Sequence, residues 1–127
     1  MEMPTYQAVS LLEEQGYTWL DHIYQGSVPA EEVNDTSHTV AVVTETISRP
    51  TDYANNTFKG WEMGVEVQIF YAQKFQHPLC DVEIELATVF KKEGWLISQS
   101  KAHKKDPDTG QITKVFYFKK KLILKEH

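Results

Sequence analysis

A chain of 127 residues, 41% hydrophobic and 12% aromatic, is long enough for one packed core and too short for two, so a single domain over residues 1–127 is expected. It holds no apolar stretch near the ~18 residues of a membrane span and no apolar leader with a cleavage site, so neither membrane insertion nor signal-directed secretion is expected. One cysteine, Cys80, excludes an internal disulfide and a thiolate-rich metal site, while the net charge of −5 conceals two unlike ends. Residues 1–66 carry eleven acids against Arg49 and Lys59, a local charge of −9, whereas residues 101–125 carry eight lysines against Asp106 and Asp108, a local charge of +6. Such separation suits either nucleic-acid binding at the basic end or front-to-back association of identical subunits.

In chain order, "TYQAVSLLEEQG" reads as a short amphipathic helix with Ala8, Val9, Leu11 and Leu12 inward, Thr5 as its N-cap and Gly16 closing it. "YTWLDHIYQGSVPAEEVNDTSH" mixes large apolar residues with turn formers, giving an irregular or briefly extended link whose Trp19, Ile23 and Tyr24 pack inward. "TVAVVTETI" is a strand covered on both faces at its start. "SRPTDYANNTFKG" reads as a long polar loop, a kind that in small domains usually carries function. "WEMGVEVQIFYA" alternates, with Val65, Val67, Ile69 and Tyr71 on one face and Glu66, Gln68 and Phe70 on the other, and so belongs near the sheet centre. "HPLCDVEIELATVFKKEG" places Leu79, Val82, Leu86, Val89 and Phe90 at helical spacing, with Pro78 at its start and Gly94 at its end. Cys80, at the start of this helix, is expected to be a small buried residue. From Trp95 to about Leu124 the β-branched and aromatic runs on either side of "DPDTG" form a hairpin. These elements make an α+β domain, two helices on one face of an antiparallel or mixed sheet of about four to five strands.

Local chemistry is sparse. Started at Asp106, the "DPDTG" stretch meets Gly110 where a calcium loop needs its third ligand and has no late acid, so it is a turn. His22, His38, His77, His103 and His127 are scattered without the spacing of a helical zinc motif. Glu83 and Glu85 diverge around their helix, and the chain has neither a glycine-rich phosphate loop nor a nucleophile elbow. No enzyme, metal or cofactor is therefore expected. "KVFYFKKKLILK" interleaves aromatics with lysines, as single-stranded nucleic-acid surfaces do, but three consecutive lysines cannot share one strand face. A solvated edge or a subunit contact fits that pattern better.

"YTWLDHIYQGSVPAE", "VAVVTET", "VEVQIFYAQKF", "DVEIEL" and above all "EGWLISQSKAHKKDPDTGQITKVFYFKK" resemble a family of small tail components of siphophages and prophages of Gram-positive bacteria. The resemblance implies a tail-terminator-like fold and a tail-terminator or tail-completion subunit, one that caps the tail tube and helps join tail to head. It implies a homo-oligomeric ring, a hexamer as in the tail-terminator fold, formed in solution or only on the assembled tail, and a place in the host cytoplasm during assembly and in the virion tail afterwards. Its partners would be the major tail tube protein and head-tail connector proteins, with no membrane and no specific nucleic acid. The family supplies no site residues; the chain's own charge asymmetry and its polar loop point to Lys119 and Lys121 for the subunit contact, Tyr53 and Phe58 for a partner protein, and Lys104 and Lys105 for the channel. A head-tail connector or adaptor subunit is the alternative within phage structure. A soluble nucleic-acid-binding module using the basic hairpin is the alternative of another class.

Overall fold

Helix α1, Pro4–Gln15, starts at a proline whose fixed φ and missing N–H suit a first helical residue. A computed structural model gives the structure of residues 3–30 and 35–124, so His127 and part of the 17–38 link lie outside the described residues. Met3, not Thr5, holds the N-cap position, and it makes no side-chain cap. Thr5 instead lies inside the first turn, 5% exposed, and its hydroxyl accepts a 2.7 Å bond from Gln25 Nε2. Gly16 ends the helix in the left-handed region at φ 60°, the conformation that frees an αL cap from Cβ strain.

Strand β1, His22–Gln25, lies parallel to the start of β2, Val40–Ala54. All remaining pairings are antiparallel: β2 with β3 (Thr57–Phe70), β3 with β6 (Ile112–Ile123), and β6 with both β4 (Leu96–Ser100) and β5 (Lys104–Lys105). The sheet is thus mixed and six-stranded, in the order β1-β2-β3-β6-β4, with β5 beyond β4 on the same side of β6. It holds six strands against the expected four to five, because the link and the closing hairpin each contribute a short strand, β1 and β5, beyond the other four.

The alternation of β3 is realised: Met63, Val65, Val67 and Ile69 are fully buried, and Tyr71 just beyond the strand nearly so. Their neighbours across the register, Ala41 and Val43 on β2 and Phe116 and Phe118 on β6, join the same cluster. So do Ala8, Leu11 and Leu12 of α1 and Val82, Leu86 and Phe90 of α2, Leu79–Lys92. Both helices therefore cover one face of the sheet. The opposite face carries Thr44, Glu66 and Tyr117, with Glu66 accepting from the Thr44 hydroxyl at 3.1 Å and the Tyr117 hydroxyl at 2.8 Å. Among the described residues no helix is long and apolar enough to cross a membrane.

The predicted loop after "TVAVVTETI" does not exist. Residues Ser48–Ala54 continue β2 and Thr57–Lys59 begin β3, joined by Asn55-Asn56 at φ 52° and 63°. Two positive φ values define the I′ turn that matches strand twist, and asparagine tolerates them better than most residues. Pro50 survives inside β2 because β1 covers only Val40–Val43, leaving the rest of β2 as an edge where a missing N–H is tolerated. The "DPDTG" turn is present as expected: Gly110 N–H donates to Asp106 O at 2.8 Å, with Gly110 at φ 75°.

Candidate functional site

The β2–β3 hairpin projects as an arm whose tip presents two large aromatics, Tyr53, 68% exposed, and Phe58, 40% exposed. These residues, which in the sequence bracket an apparent loop, are cross-strand partners in the structure. Their rings meet edge to face at 6.4 Å between centroids, and Phe58 meets Trp61 at 5.8 Å. Behind the tip, Arg49 Nη2 donates to Glu62 at 2.9 Å and Trp61 Nε1 to Ser48 Oγ at 3.0 Å. Asp52 sits at φ 58° and reaches over Gly60, where any Cβ would come within 2.5 Å of its carboxylate. There it meets Lys121 Nζ at 2.8 Å. β6 pairs with β3 as far as Gly60, so only the tip, residues 53–58, runs on as two strands alone, and Lys121 of β6 braces it through Asp52.

That brace gives a titration test. The Lys121 hydrogen bond holds the Asp52 carboxyl below its ordinary value of 3.8. A depressed carboxylate stabilises the fold above its unfolded pKa and loses that contribution as pH falls through its folded value. In a carbon-detected NMR titration, Lys121→Ala should move the Asp52 midpoint up toward 3.8. An unmoved midpoint would mean that another group holds it.

Among the described residues the lysines of the C-terminal part do not form one basic patch. Lys114 is 7% exposed, and its ammonium donates to Ser100 Oγ and the Lys101 carbonyl. Lys120 lies over the Trp95 ring at 5.6 Å and Lys101 over Tyr117 at 5.2 Å. Lys121 is tied to Asp52, which leaves Lys119 exposed on β6 and Lys104 and Lys105 exposed on β5. The successive lysines divide between the two sheet faces, as strand geometry requires.

A buried polar cluster escaped sequence reading. Glu83, 6% exposed, accepts from the Tyr71 hydroxyl at 2.6 Å, and His103 Nε2 lies 2.7 Å from the same carboxylate oxygen. It ties α2 to the end of β3 and to the segment between β4 and β5. Burial, followed by the bond to Glu83, raises the Tyr71 hydroxyl well above its ordinary pKa. Tyr71→Phe should cost about 1–3 kcal/mol in chemical denaturation, because a buried carboxylate loses a donor. A cost near zero would show that water replaces the hydroxyl. Cys80, expected to be buried, is exposed: Val82 takes the inward position of that turn and Cys80 falls on the outer side. Among the described residues no group of three or more histidines, cysteines or acids gathers as a metal site would.

Beside β4, Ile84, Ala87, Thr88 and Lys91 of α2 and Trp95, Leu96 and Ile97 line a groove of about 290 Å³. Three of these are exposed aliphatics, Ile84 at 65%, Leu96 at 57% and Ile97 at 47%. The groove floor ends at β4, the outermost strand of the sheet there. Thus the chain presents two separate apolar features, a protruding arm and a recessed groove. Residues 3–123 match a family model described as a protein of unknown function (DUF806). No curated protein matches the chain.

Proposed function

The chain belongs to that DUF806 family, and we propose that it is a structural subunit of a phage tail, a terminator or tail-completion protein that caps the tube and helps join tail to head. The arm carries this reading. Exposed aromatics on a braced hairpin serve contact with another protein, since water-exposed rings of this size gain most when a partner buries them. The resemblance of "EGWLISQSKAHKKDPDTGQITKVFYFKK" to small siphophage tail components supplies the setting, and the α+β layer of two helices on a sheet agrees with a tail-terminator-like fold. In this reading Tyr53 and Phe58 reach the tail tube or the connector, Lys119 lies at the subunit contact, and Lys104 and Lys105 face the channel. Lys121 can join the subunit contact only by sharing its ammonium with Asp52.

A nucleic-acid-binding role is the weaker reading, because Lys114 is buried, Lys101 and Lys120 lie over rings and Lys121 is paired, leaving a thin cationic surface. The test is to mix the purified protein with its cognate tail tubes and image the tube ends by electron microscopy. A ring on one end of each tube is the expected result. A protein that ignores tubes but binds single-stranded DNA with a steep salt dependence would overturn the reading.

A further inference from the structure

We infer that Asp52, Gly60 and Lys121 act as one positioning unit that sets the direction of the hairpin tip and so places Tyr53 and Phe58 for their contact. This role rests on the tail reading above and names the residues that prepare its contact surface. Gly60 is the last residue of β3 in register with β6, and a final backbone bond from Leu124 N–H to Lys59 O at 2.7 Å closes the three-stranded part. Beyond it, residues 53–58 run on as two strands alone. A two-stranded ribbon twists more strongly than a wider sheet and has little stability by itself, so its direction is decided where it leaves the third strand. The three residues meet at that junction.

The ladder between β2 and β3 steps from the Thr51–Gly60 pair to the Tyr53–Phe58 pair and passes over Asp52, whose φ of 58° takes the chain out of extended geometry for one residue. Such a φ is uncommon for a residue with a Cβ, and aspartate accepts it more readily than most. The carboxylate lies across β3, because a Cβ added at residue 60 would come within 2.5 Å of Asp52 Oδ2 and 3.4 Å of its Cγ, and within 3.0 Å of the Leu122 carbonyl oxygen. Only glycine fits beneath it. On the other side Lys121 Nζ meets Asp52 Oδ1 at 2.8 Å. One side chain therefore reaches from β2 over β3 to β6, and ties the residue just before the tip to the strand that the tip leaves behind. A pair this exposed adds little to global stability, so its consequence is local, in the direction the ribbon takes. Lys119, two residues away on the same face of β6, has no such tether, since it meets no acid among the described residues.

The test is the amide residual dipolar couplings of residues 53–58 in weakly aligned protein, read against those of residues 65–69 within the sheet. Lys121→Ala removes the tether from one end, and Asp52→Asn weakens it from the other while keeping a residue that accepts the left-handed φ. In Lys121→Ala the couplings of the tip should shrink by about half as its direction averages, those of residues 65–69 should hold, and the double variant should go no further. Lys121→Arg, which keeps the charge and the reach, should restore the tip couplings, and Lys119→Ala should leave them unchanged. Capping of tail tubes should fall about threefold in Lys121→Ala and return in Lys121→Arg, with melting temperatures within about 2 °C of wild type throughout. Unchanged tip couplings in Lys121→Ala, or shrunken couplings with capping at the wild-type level, would overturn the inference. The two claims fail separately: a wild-type protein that ignores tubes loses the tail reading while the couplings still decide what sets the tip, and a Lys121→Ala variant that caps as wild type does keeps the role and loses this positioning.

Discussion

Truncating Phe118 to alanine should lower stability by about 3–5 kcal/mol and the melting temperature by more than about 10 °C. Phe118 is 1% exposed at the centre of β6, the strand that β3, β4 and β5 all share. Its ring stacks on Phe90 of α2 at 4.2 Å and on Phe116 at 5.5 Å, and it lies across from fully buried Val65. One side chain thus joins the second helix to the middle of the sheet. Removing it leaves a cavity between elements that cannot close without moving α2, and this places the expected cost in the upper range for a large-to-small change. Lys119, one residue along and on the exposed face, gives the control, since Lys119→Ala should stay within about 0.5 kcal/mol. Urea denaturation of the two variants decides it. A Phe118→Ala cost below about 1 kcal/mol would mean that α2 and β6 are not packed as described.

Where one residue type at one period decided the structure, the sequence was readable. The alternation of Val65, Val67 and Ile69 put β3 between β2 and β6, and the spacing of Val82, Leu86 and Phe90 set the inner face of α2. The arm was hidden because its strands are polar. "SRPTDYANNT" has proline, aspartate and asparagines, all turn formers, and nothing in the period shows that Pro50 sits on an uncovered edge or that Asn55-Asn56 supply two positive φ values. Tyr53 and Phe58 could be named as exposed contacts, but their pairing across a hairpin could not. The Glu83 cluster was hidden for a different reason. Its three members are 12 and 20 residues apart, and the alternating acids of "DVEIEL" look like a solvated face until the end of β3 brings Tyr71 against one of them. Charge counting left nucleic-acid binding and subunit association both open; strand geometry already spoke against three adjacent lysines sharing a face, but the buried Lys114 ammonium and the ring contacts of Lys101 and Lys120 were not legible.

The double variant Tyr53→Ala, Phe58→Ala should lose capping of tail tubes, with occupied tube ends falling at least about tenfold, while its melting temperature stays within about 2 °C of wild type. The two halves of that expectation have separate physical origins. Both rings are exposed, and their internal contacts are the edge-to-face meetings at the arm tip, so their loss takes little from the core. The arm should keep its shape without them, because the Asn55-Asn56 turn, the Arg49–Glu62 pair and the Asp52–Lys121 brace all lie outside the two substituted side chains. At a protein contact the same rings are the residues whose truncation commonly costs most, each worth a factor of ten or more in affinity when fully desolvated, roughly 1.4 kcal/mol per decade. A folded variant that fails to bind would therefore assign the function to the arm tip. A variant that still caps tubes at wild-type occupancy would remove the arm from the contact and leave the open face around Tyr117 and Lys119 as the surface to test next.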